Sequence, residues 1–564
     1  MRTTVRCSAC SLIFDFFRTL AGGSSADPLK MRYNALHPET LYLTFHCRGL
    51  LMKTISTVFW LVITASICAV GQTHDPHPSG RSTGKVDLGE ISFPNSGPAA
   101  AQKHFIEGVL LLHSFEYSRA RRAFQEASRI APEFAMAYWG EAMTYDHRIW
   151  GEQNQRAGVS SLLRLAPTAA ERRAKAPTER EKLYLDAVEK LFGEGDQKQV
   201  AEAYSAAMGE LARRFPDDLE AQAFYSLSIL GLTGSVRNTE NYMRAAAIAE
   251  SIYEKNPKHP GALHYLIHAY DDPTHAPLGL RAARLYGTVA RSASHAQHMP
   301  SHIFFALGMW NDSIEANTAS MKTARDEGTG GYHPMHWLMH AYLQIGKDDE
   351  AVKLIGLIEE DMKTNPSAYA RTHLAMSRAT LLVEMRGNAP ASVMERVDAA
   401  EITTFGVFSG HDLAIGLEQL RRKELDAARQ TFEALRARNS SFKTASTRDS
   451  GTISRYTTVA QTDIDASAVM EKMLAAAIEF ASGQKDSGIR NMIAAAESED
   501  KLVFEYGPPA IVKPAWEAAG EMLLAAGRKN EAAEAFRKAL KRYPNRRLSN
   551  DGLRAAGGNR AETP

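Results

Sequence analysis

Three histidine pairs recur along the middle of this chain at the period of a helical repeat. Ten of the 19 histidines fall within residues 259–340. Three segments each carry an H-x3-H pair, namely His264/His268, His298/His302 and His336/His340. Residues four apart project from one face of an α-helix, so each segment presents two imidazoles side by side. Because the pairs are spaced by 34 and then 38 residues, the histidines occupy equivalent positions of consecutive stacked repeats.

The same period extends to both sides of the histidine-rich segment. Gly108, Ala120 and Phe124 occupy positions 8, 20 and 24 of a 34-residue repeat in which Pro132 is position 32. Small residues at positions 8 and 20 let two paired helices approach, and the aromatic residue fills the space between them. The pattern predicts an all-α fold, a superhelical solenoid of antiparallel helix pairs like that of tetratricopeptide repeat (TPR) proteins. The same positions recur near the C-terminus as Gly520, Ala532, Phe536 and Pro544.

The strength of this repeat pattern divides the chain into segments. We expect N-terminal repeats over 99–258, histidine-rich central repeats over 259–366, further helical repeats over 367–438, and C-terminal repeats with a polar cap over 467–564. Residues 72–98 are rich in Pro, Gly, Ser and Thr, which predicts a flexible leader. The Ser/Thr-rich residues 439–466 predict a long loop.

The N-terminal region has the pattern of an export signal rather than of a folded domain. Met52 and Lys53 begin a short basic segment, residues 57–70 are apolar, and the small residues Ala69 and Gly71 mark a cleavage site. We therefore interpret 52–71 as a signal peptide cleaved near Gly71, and 1–51 as a misassigned start upstream of the true initiator Met52. The apolar run is shorter than the roughly 20 residues that span a bilayer. The mature protein is expected to be periplasmic or extracellular, without a membrane span.

Cysteine usage restricts the chemistry of any site. The chain has four cysteines, at positions 7, 10, 47 and 68, and all of them precede the expected cleavage. The mature chain would therefore contain neither a disulfide nor a thiolate that could act as nucleophile or metal ligand. Any site must be built from His, Asp, Glu, Ser or Tyr.

The charge balance argues against nucleic acid as a partner. The whole chain carries 66 Lys and Arg against 65 Asp and Glu. The first 71 residues hold seven basic and three acidic residues, which leaves 59 against 62, a net −3, for the remainder. Such a chain has no basic surface for phosphate contacts.

The repeat register places the histidine pairs on the concave surface of the solenoid. Repeats that begin near Pro260, Ser294 and Tyr332 put each pair at positions 5 and 9 of a first helix. Positions 2, 5, 9, 12 and 13 of that helix line the concave surface. An earlier repeat places His147 at position 13 as well. The expected ligand groove therefore comprises His264, His268, Asp271, Asp272, His295, His298, His302, His333, His336, His340 and His147.

Paired histidines are suited to transition-metal binding. An i,i+4 pair and a third ligand from a neighbouring helix form a three-coordinate site with an open position, and neutral imidazole suits zinc and copper. Asp271 or Asp272 could serve as a carboxylate ligand or orient a histidine. The H-E-x-x-H motif of metallohydrolases is absent from the sequence. The candidate metal ligands are His264, His268, His298, His302, His336 and His340.

Two kinds of function remain open at this stage. The favoured one is recognition: an exported scaffold that binds a protein, a peptide or an envelope carbohydrate in the histidine-rich groove. The alternative is a transition-metal-binding protein, or a metal-dependent hydrolase, that uses the same cluster. Groove-facing His and Asp side chains can also form a hydrogen-bonded polar seam that serves only the structure.

Five segments, in chain order, resemble a family of exported bacterial TPR proteins. The HMPSHIF and H-x3-HAYDDP blocks are the specific part of the resemblance, which covers nearly all of the mature chain. The HPMHWLMHAYL block departs from the family by its additional histidines. The family is largely uncharacterised, so the resemblance implies fold and export rather than an activity. The segments are MTYDHRIWGEQ, TEREKLYLDAV, HYLIHAYDDPTHAPLGL, HAQHMPSHIFFALGMW and PAWEAAGEMLLAAGRKNEAAEAF.

The export signal makes a direct prediction. When the gene is expressed in a bacterium with a general secretion system, N-terminal sequencing of the mature product should begin at or near Gln72, because the peptidase cuts after the small-x-small site. An intact Met1 on a cytoplasmic protein would contradict both the signal peptide and the start at Met52.

Overall fold

Antiparallel helix pairs follow one another along almost all of the described chain. The computed structural model describes residues 87–234, 236–398, 405–442, 452–453 and 461–558. Over these residues the fold is the predicted all-α, TPR-like solenoid. The expectations for 1–51, for the signal peptide at 52–71 and for residues 72–86 of the leader lie outside the described residues.

The helices are numbered here in chain order. The N-terminal helices are α1 (Ala99–His113), α2 (Tyr117–Ile130), α3 (Ala135–Met143), α4 (Gln155–Leu163), α5 (Ala169–Ala174), α6 (Glu179–Leu191), α7 (Gln197–Arg214), α8 (Leu219–Leu230) and α9 (Thr239–Lys255). The central helices are α10 (Pro260–Ala269), α11 (Ala276–Val289), α12 (Ser294–His298), α13 (Pro300–Ala306), α14 (Trp310–Asp326), α15 (Tyr332–Gln344), α16 (Asp348–Thr364) and α17 (Ala368–Met385). The C-terminal helices are α18 (Phe405–Arg421), α19 (Leu425–Phe442), α20 (Gln461–Ala481), α21 (Lys485–Glu499), α22 (Ala515–Ala525), α23 (Lys529–Arg542) and α24 (Arg547–Ala555).

Short irregular elements interrupt this array. Single 3₁₀ turns lie at Arg148–Trp150, Gly231–Thr233 and Ala391–Met394. A small antiparallel sheet in the order β1-β2-β3 joins β1 (Asp146–His147), β2 (Glu152–Asn154) and β3 (Thr452–Ile453). Among the described residues, no helix is both long and apolar enough to cross a membrane.

The small residues of the repeat pattern act as the sequence predicts. A Cβ atom on Gly108 would lie 2.7 Å from the ring of Phe124, and one on Gly520 would lie 2.8 Å from the ring of Phe536. Real Cβ atoms do not approach so closely, so only glycine lets these helices pack at this distance. Interiors are packed too densely to absorb even one added methyl group without cost.

The central helices begin at the residues that the repeat register predicts. Helices α10, α12 and α15 start at Pro260, Ser294 and Tyr332. Met299 separates α12 from α13 because Pro300 follows it, and proline has no N–H to continue the hydrogen-bond ladder. The three first helices of the central repeats therefore carry their histidines at equivalent positions.

Two segment boundaries differ from the prediction. Residues 87–98 were expected in a flexible leader, but Phe93 is buried, with its ring 5.1 Å from the rings of Phe105 and Tyr184. The Ser96 N–H and hydroxyl both donate to Glu181. The Pro-, Gly- and Ser-rich composition predicts flexibility, but the buried ring of Phe93 holds this otherwise polar segment against the fold. Residues 439–442 and 461–466 were expected in a loop, but they are helical, since α19 continues to Phe442 and α20 begins at Gln461.

The C-terminal helices fold back onto the central repeats. The Arg546 guanidinium, which is fully buried, donates to Glu517 at 2.8 Å and lies 2.5 Å from Glu384. The Trp310 indole N–H donates to the carbonyl of Asn545 at 3.1 Å. Removing one partner of a buried ion pair strongly destabilises the fold, because the remaining charge would be uncompensated. These contacts attach the turn before α24 to α14 and α17.

This attachment can be tested with two glycine substitutions. Gly308 and Gly527 both have left-handed backbones, with φ of 65° and 79°. A Cβ on Gly308 would lie 2.5 Å from the Pro544 carbonyl oxygen, whereas nothing lies within 4 Å of one on Gly527. Both alanine variants should lose about 1 kcal/mol of unfolding free energy from the backbone conformation. Gly308→Ala should lose about 1–3 kcal/mol more from the close contact. Equal losses in calorimetry would contradict the docking of the C-terminal turn.

Candidate functional site

Six histidines meet in two triads at the centre of the solenoid. The first triad comprises His264 and His268 of α10 with His295 of α12. The second triad comprises His298 of α12 and His302 of α13 with His333 of α15. Within each triad, one ring nitrogen from every histidine lies within 4.8 Å of the others.

The repeat geometry explains both triads in the same way. Each takes an i,i+4 pair at positions 5 and 9 of one repeat and the histidine at position 2 of the next. Nε2 of His264 lies 3.2 Å from Nε2 of His295. Nε2 of His298 lies 3.2 Å from Nε2 of His302 and 3.0 Å from Nε2 of His333. The sequence predicted the pairs and a third ligand from a neighbouring helix, but it did not include His295 and His333 among the metal ligands.

Hydrogen bonds on the outer side of the second triad fix the imidazole tautomers. The side-chain NH2 group of Asn317 donates to the Ser313 carbonyl. The Oδ1 atom of Asn317 is therefore the acceptor for Nδ1–H of His298, at 2.7 Å. Asp271 accepts from Nδ1–H of His302 at 2.5 Å. In a neutral imidazole the other nitrogen is then unprotonated. The two Nε2 lone pairs therefore face each other across 3.2 Å.

The first triad is arranged in a related way. His264 donates from Nδ1–H to the backbone carbonyl of His113 at 2.7 Å, so its Nε2 presents a lone pair to His295. The backbone N–H of His295 donates to Glu116, which fixes the start of α12. Nε2 of His268 is buried and has no hydrogen-bond partner among the described residues. A buried polar atom of this kind indicates an interaction that the protein side chains do not supply.

Aromatic rings enclose the six histidines. The rings of Phe115 and His264 are 4.3 Å apart, and those of Trp150 and His295 are 5.4 Å apart. Across the second triad, the Trp337 and Tyr506 rings lie 4.5 Å and 4.9 Å from His302. Phe115 holds its place with a left-handed backbone (φ 56°), which is rare for a bulky residue.

The expectation of an open, histidine-lined groove is therefore wrong. The side chains expected to face a ligand are almost wholly inaccessible, because the segment around Tyr506 returns from the C-terminal part of the chain and covers α13 and α15. Only His295 and His333 are partly exposed among the histidines of the two triads. The residues buried to 8% exposure or less are His264, His268, Asp271, Asp272, His298, His302, His336 and His340.

The third histidine pair does not join a triad. His336 bonds through Nε2 to the Thr380 hydroxyl at 3.1 Å. His340 packs against the Phe305 ring, with the ring centroids 5.5 Å apart. Both were predicted as metal ligands, but α15 is the last helix of the histidine-rich block. No histidine at position 2 of a following repeat completes their site.

Asp272 and His147 also serve local structure. Asp272 forms an ion pair with Arg237 at 2.5 Å and accepts from the His275 ring at 2.7 Å. His147 stacks on Tyr117, with ring centroids 3.7 Å apart, and contacts Glu152 at 3.2 Å. Neither residue belongs to the triads.

A third cluster was not predicted. Nε2 of His113 lies 2.7 Å from one Glu220 oxygen, and Nε2 of His259 lies 3.1 Å from the other. Nδ1 of His259 accepts from the backbone N–H of Ala262, and Nδ1 of His113 contacts the Tyr265 hydroxyl. Every ring nitrogen here has a partner, so the cluster is a satisfied structural network. Burial would raise the pKa of Glu220, but the two facing histidines hold it at about 2.

Burial lowers the pKa of four of the six triad histidines, His264, His268, His295 and His298. It lowers the pKa of His264 to about 3 and that of His336 to about 4. Burial also holds the pKa values of His268, His295 and His298 well below the usual value. At pH 7 these imidazoles are unprotonated bases, the form that binds metal ions.

Comparison with known proteins adds little beyond the fold. No family of known proteins and no curated relative matches the sequence. The TPR domain of P58(IPK) is 12% identical and has a TM-score of 0.22, over 81% of this chain and 98% of that one. Yeast Tom70 is 10% identical with a TM-score of 0.29 (81% and 95%), and human IFIT1 with m7Gppp-AAAA is 12% identical with 0.34 (80% and 91%). These likenesses do not extend to a site or a ligand.

The depressed pKa values predict how acid affects the metal-free protein. Unfolded histidines titrate near 6.5, whereas His264 and His336 titrate at about 3 and about 4 when folded. Between these pH values the unfolded chain binds more protons than the folded protein does. The free energy of unfolding therefore has its full value above pH 6.5 and decreases as the pH falls. Each such histidine contributes about 1.4 kcal/mol per pH unit in that window.

Urea denaturation in chelator, from pH 7.5 to pH 5, measures this effect. The His336→Gln substitution lies outside the triads. It should reduce the slope of unfolding free energy against pH by the equivalent of up to one proton. A free energy of unfolding that does not change over this range would contradict the burial of neutral imidazoles.

Proposed function

We propose that this protein is a TPR-like scaffold that binds transition-metal ions, zinc or copper, in its two buried histidine triads. The observation that carries the proposal is the close approach of Nε2 of His298 to Nε2 of His302, at 3.2 Å, while the Nδ1 atom of each ring is bonded to an oxygen acceptor. Two lone pairs at 3.2 Å repel each other unless a cation lies between them.

The distances within the triads are those of a metal site. Zn–N bonds of 2.0–2.1 Å in a tetrahedral arrangement place ligand nitrogens ~3.3 Å apart. The Nε2 separations of 3.0 and 3.2 Å around His298 are close to this value. A shared proton is the other possible cation, and burial disfavours a proton on the His298 ring because it holds the pKa of His298 well below the usual value.

The hydrogen bonds behind the ligands also support metal binding. Metal-bound histidines typically donate their second N–H to a carboxylate or carbonyl oxygen, which orients the ring and raises its basicity. Asp271 has this relation to His302, and the His113 carbonyl has it to His264. The donor set is imidazole only, which suits zinc and copper rather than magnesium or calcium.

The other functions considered from the sequence have less support. Recognition of a protein, peptide or carbohydrate by the eleven side chains of the expected groove would require them to be accessible, and eight of the eleven are buried. A hydrolase would need water beside the ion, and Phe115, Trp150, Trp337 and Tyr506 enclose the site. Export of the protein is part of the proposal and would place the triads in contact with extracytoplasmic metal.

Metal that binds the triads should stabilise the folded protein. Zinc or copper at 100 times the dissociation constant adds about 2.7 kcal/mol of unfolding free energy. The melting temperature of tag-free protein should therefore rise by several degrees at pH 7.5. The increase should persist at pH 5.5, because burial holds the pKa values of His264, His268 and His298 well below the usual value and protons then compete little for the folded site. No increase at either pH would overturn the proposal.

Three single variants and one double variant distinguish metal ligands from other buried histidines. His302→Ala should abolish most of the increase, and His268→Ala should remove part of it. Because the triads are in contact, the double variant should not be additive. The matched control is His336→Gln, a buried histidine at the same repeat position as His298 but outside the triads, and it should retain the full increase. Loss of the increase in His336→Gln alone would place the metal elsewhere.

A further inference from the structure

We infer that the two triads form one binuclear copper centre whose ligand is dioxygen. This inference rests on the proposed metal-binding function and extends it to a specific ion, a specific nuclearity and a small-molecule ligand.

The six imidazoles form one continuous cluster. Within the triads, neighbouring ring centroids are 4.5 to 5.0 Å apart. Between the triads, His268 and His302 are 5.8 Å apart, and His295 and His298 are 6.2 Å apart. His295 and His298 also lie on the single turn of α12, so one short helix supplies a ligand to each ion. Two ions bound here would therefore be neighbours without an intervening protein layer.

The absence of charged ligands favours copper(I). Both triads present neutral nitrogen only, and the acidic group hydrogen-bonded to a triad ring is Asp271 on His302. The cost of burying an ion grows with the square of its charge, so two divalent ions cost about four times as much as two monovalent ones. Copper(I) is monovalent and accepts three nitrogen ligands. Zinc usually takes a fourth, commonly water, which the enclosing rings disfavour.

Two adjacent three-coordinate copper(I) ions can bind dioxygen between them. Each copper gives up one electron and becomes copper(II), and the two electrons reduce dioxygen to a bridging peroxide whose O–O bond remains intact. No proton and no external reductant are needed, and release of dioxygen returns both electrons. The rings of Phe115, Trp150 and Trp337 place apolar surface against the triads, which limits the water that would protonate a peroxide.

The test uses the full mature chain. Metal-free protein is loaded anaerobically with copper(I), the copper content is measured by elemental analysis, and dioxygen is then added. We expect two copper ions per chain, an intense near-ultraviolet charge-transfer band on oxygenation, and no electron paramagnetic resonance signal because the two copper(II) spins couple. Removal of dioxygen under argon should reverse the band.

Variants from both triads identify the centre. His268→Gln and His333→Gln should each retain about one copper, lose the band, and give the signal of isolated copper(II) after oxidation. The control His336→Gln should behave like the unsubstituted protein. Circular dichroism checks that each variant is folded. Because the two variants lie in different triads, the test remains valid if one of them fails to fold.

The failures of the two proposals can be told apart. If two coppers bind but dioxygen produces no change, or produces isolated copper(II), the binuclear inference is overturned and metal binding stands. A single copper per chain has the same consequence. If no copper or zinc binds, the metal-binding function and the inference both fail. A band that persists in either single-triad variant would also overturn the binuclear assignment.

Discussion

The proposed metal site depends on the contact between Nε2 of His298 and Nε2 of His302, because two neutral imidazoles with lone pairs on these atoms repel each other unless a cation lies between them. Asp271 and Asn317 accept the Nδ1 protons of His302 and His298, so both Nε2 lone pairs point into the same space at 3.2 Å. Burial makes a proton an unfavourable bridge, and the imidazole donor set makes a transition metal a favourable one. The hydrogen bonds at the Nδ1 atoms thus determine which cation the Nε2 atoms can bind.

The fold supplies this contact through repetition. Each triad combines an i,i+4 pair with the first-turn histidine of the next repeat, so stacking the repeats builds the first triad and then the second. The C-terminal helices contribute from a distance. Their attachment at Arg546 places the segment around Tyr506 over the second triad. A solenoid that would otherwise present a concave surface is closed locally into a largely buried, aromatic-lined site.

Much of this could be predicted from local sequence. The 34-residue register gave the starts of α10, α12 and α15, and the H-x3-H spacing gave the paired imidazoles. The choice of metal ligands could not be predicted, because positions 2, 5 and 9 all face the same surface. Only the packing of adjacent helices brings His295 to the pair His264/His268 and His333 to the pair His298/His302. The cover by Tyr506 comes from more than 160 residues beyond α15 in sequence. Glu220 likewise meets His113 from 107 residues away. Contacts of such separation leave no periodic signal.

Crystallography with anomalous scattering from the bound metal tests the central claim most directly. For protein crystallised with copper or zinc, the account predicts an anomalous peak within about 2.1 Å of Nε2 of His298, His302 and His333. The ion should have no carboxylate oxygen in its first coordination sphere, and Asp271 should remain bonded to His302. A peak located at His336 and His340, or only at surface residues, would contradict the assignment of the triads as the metal site.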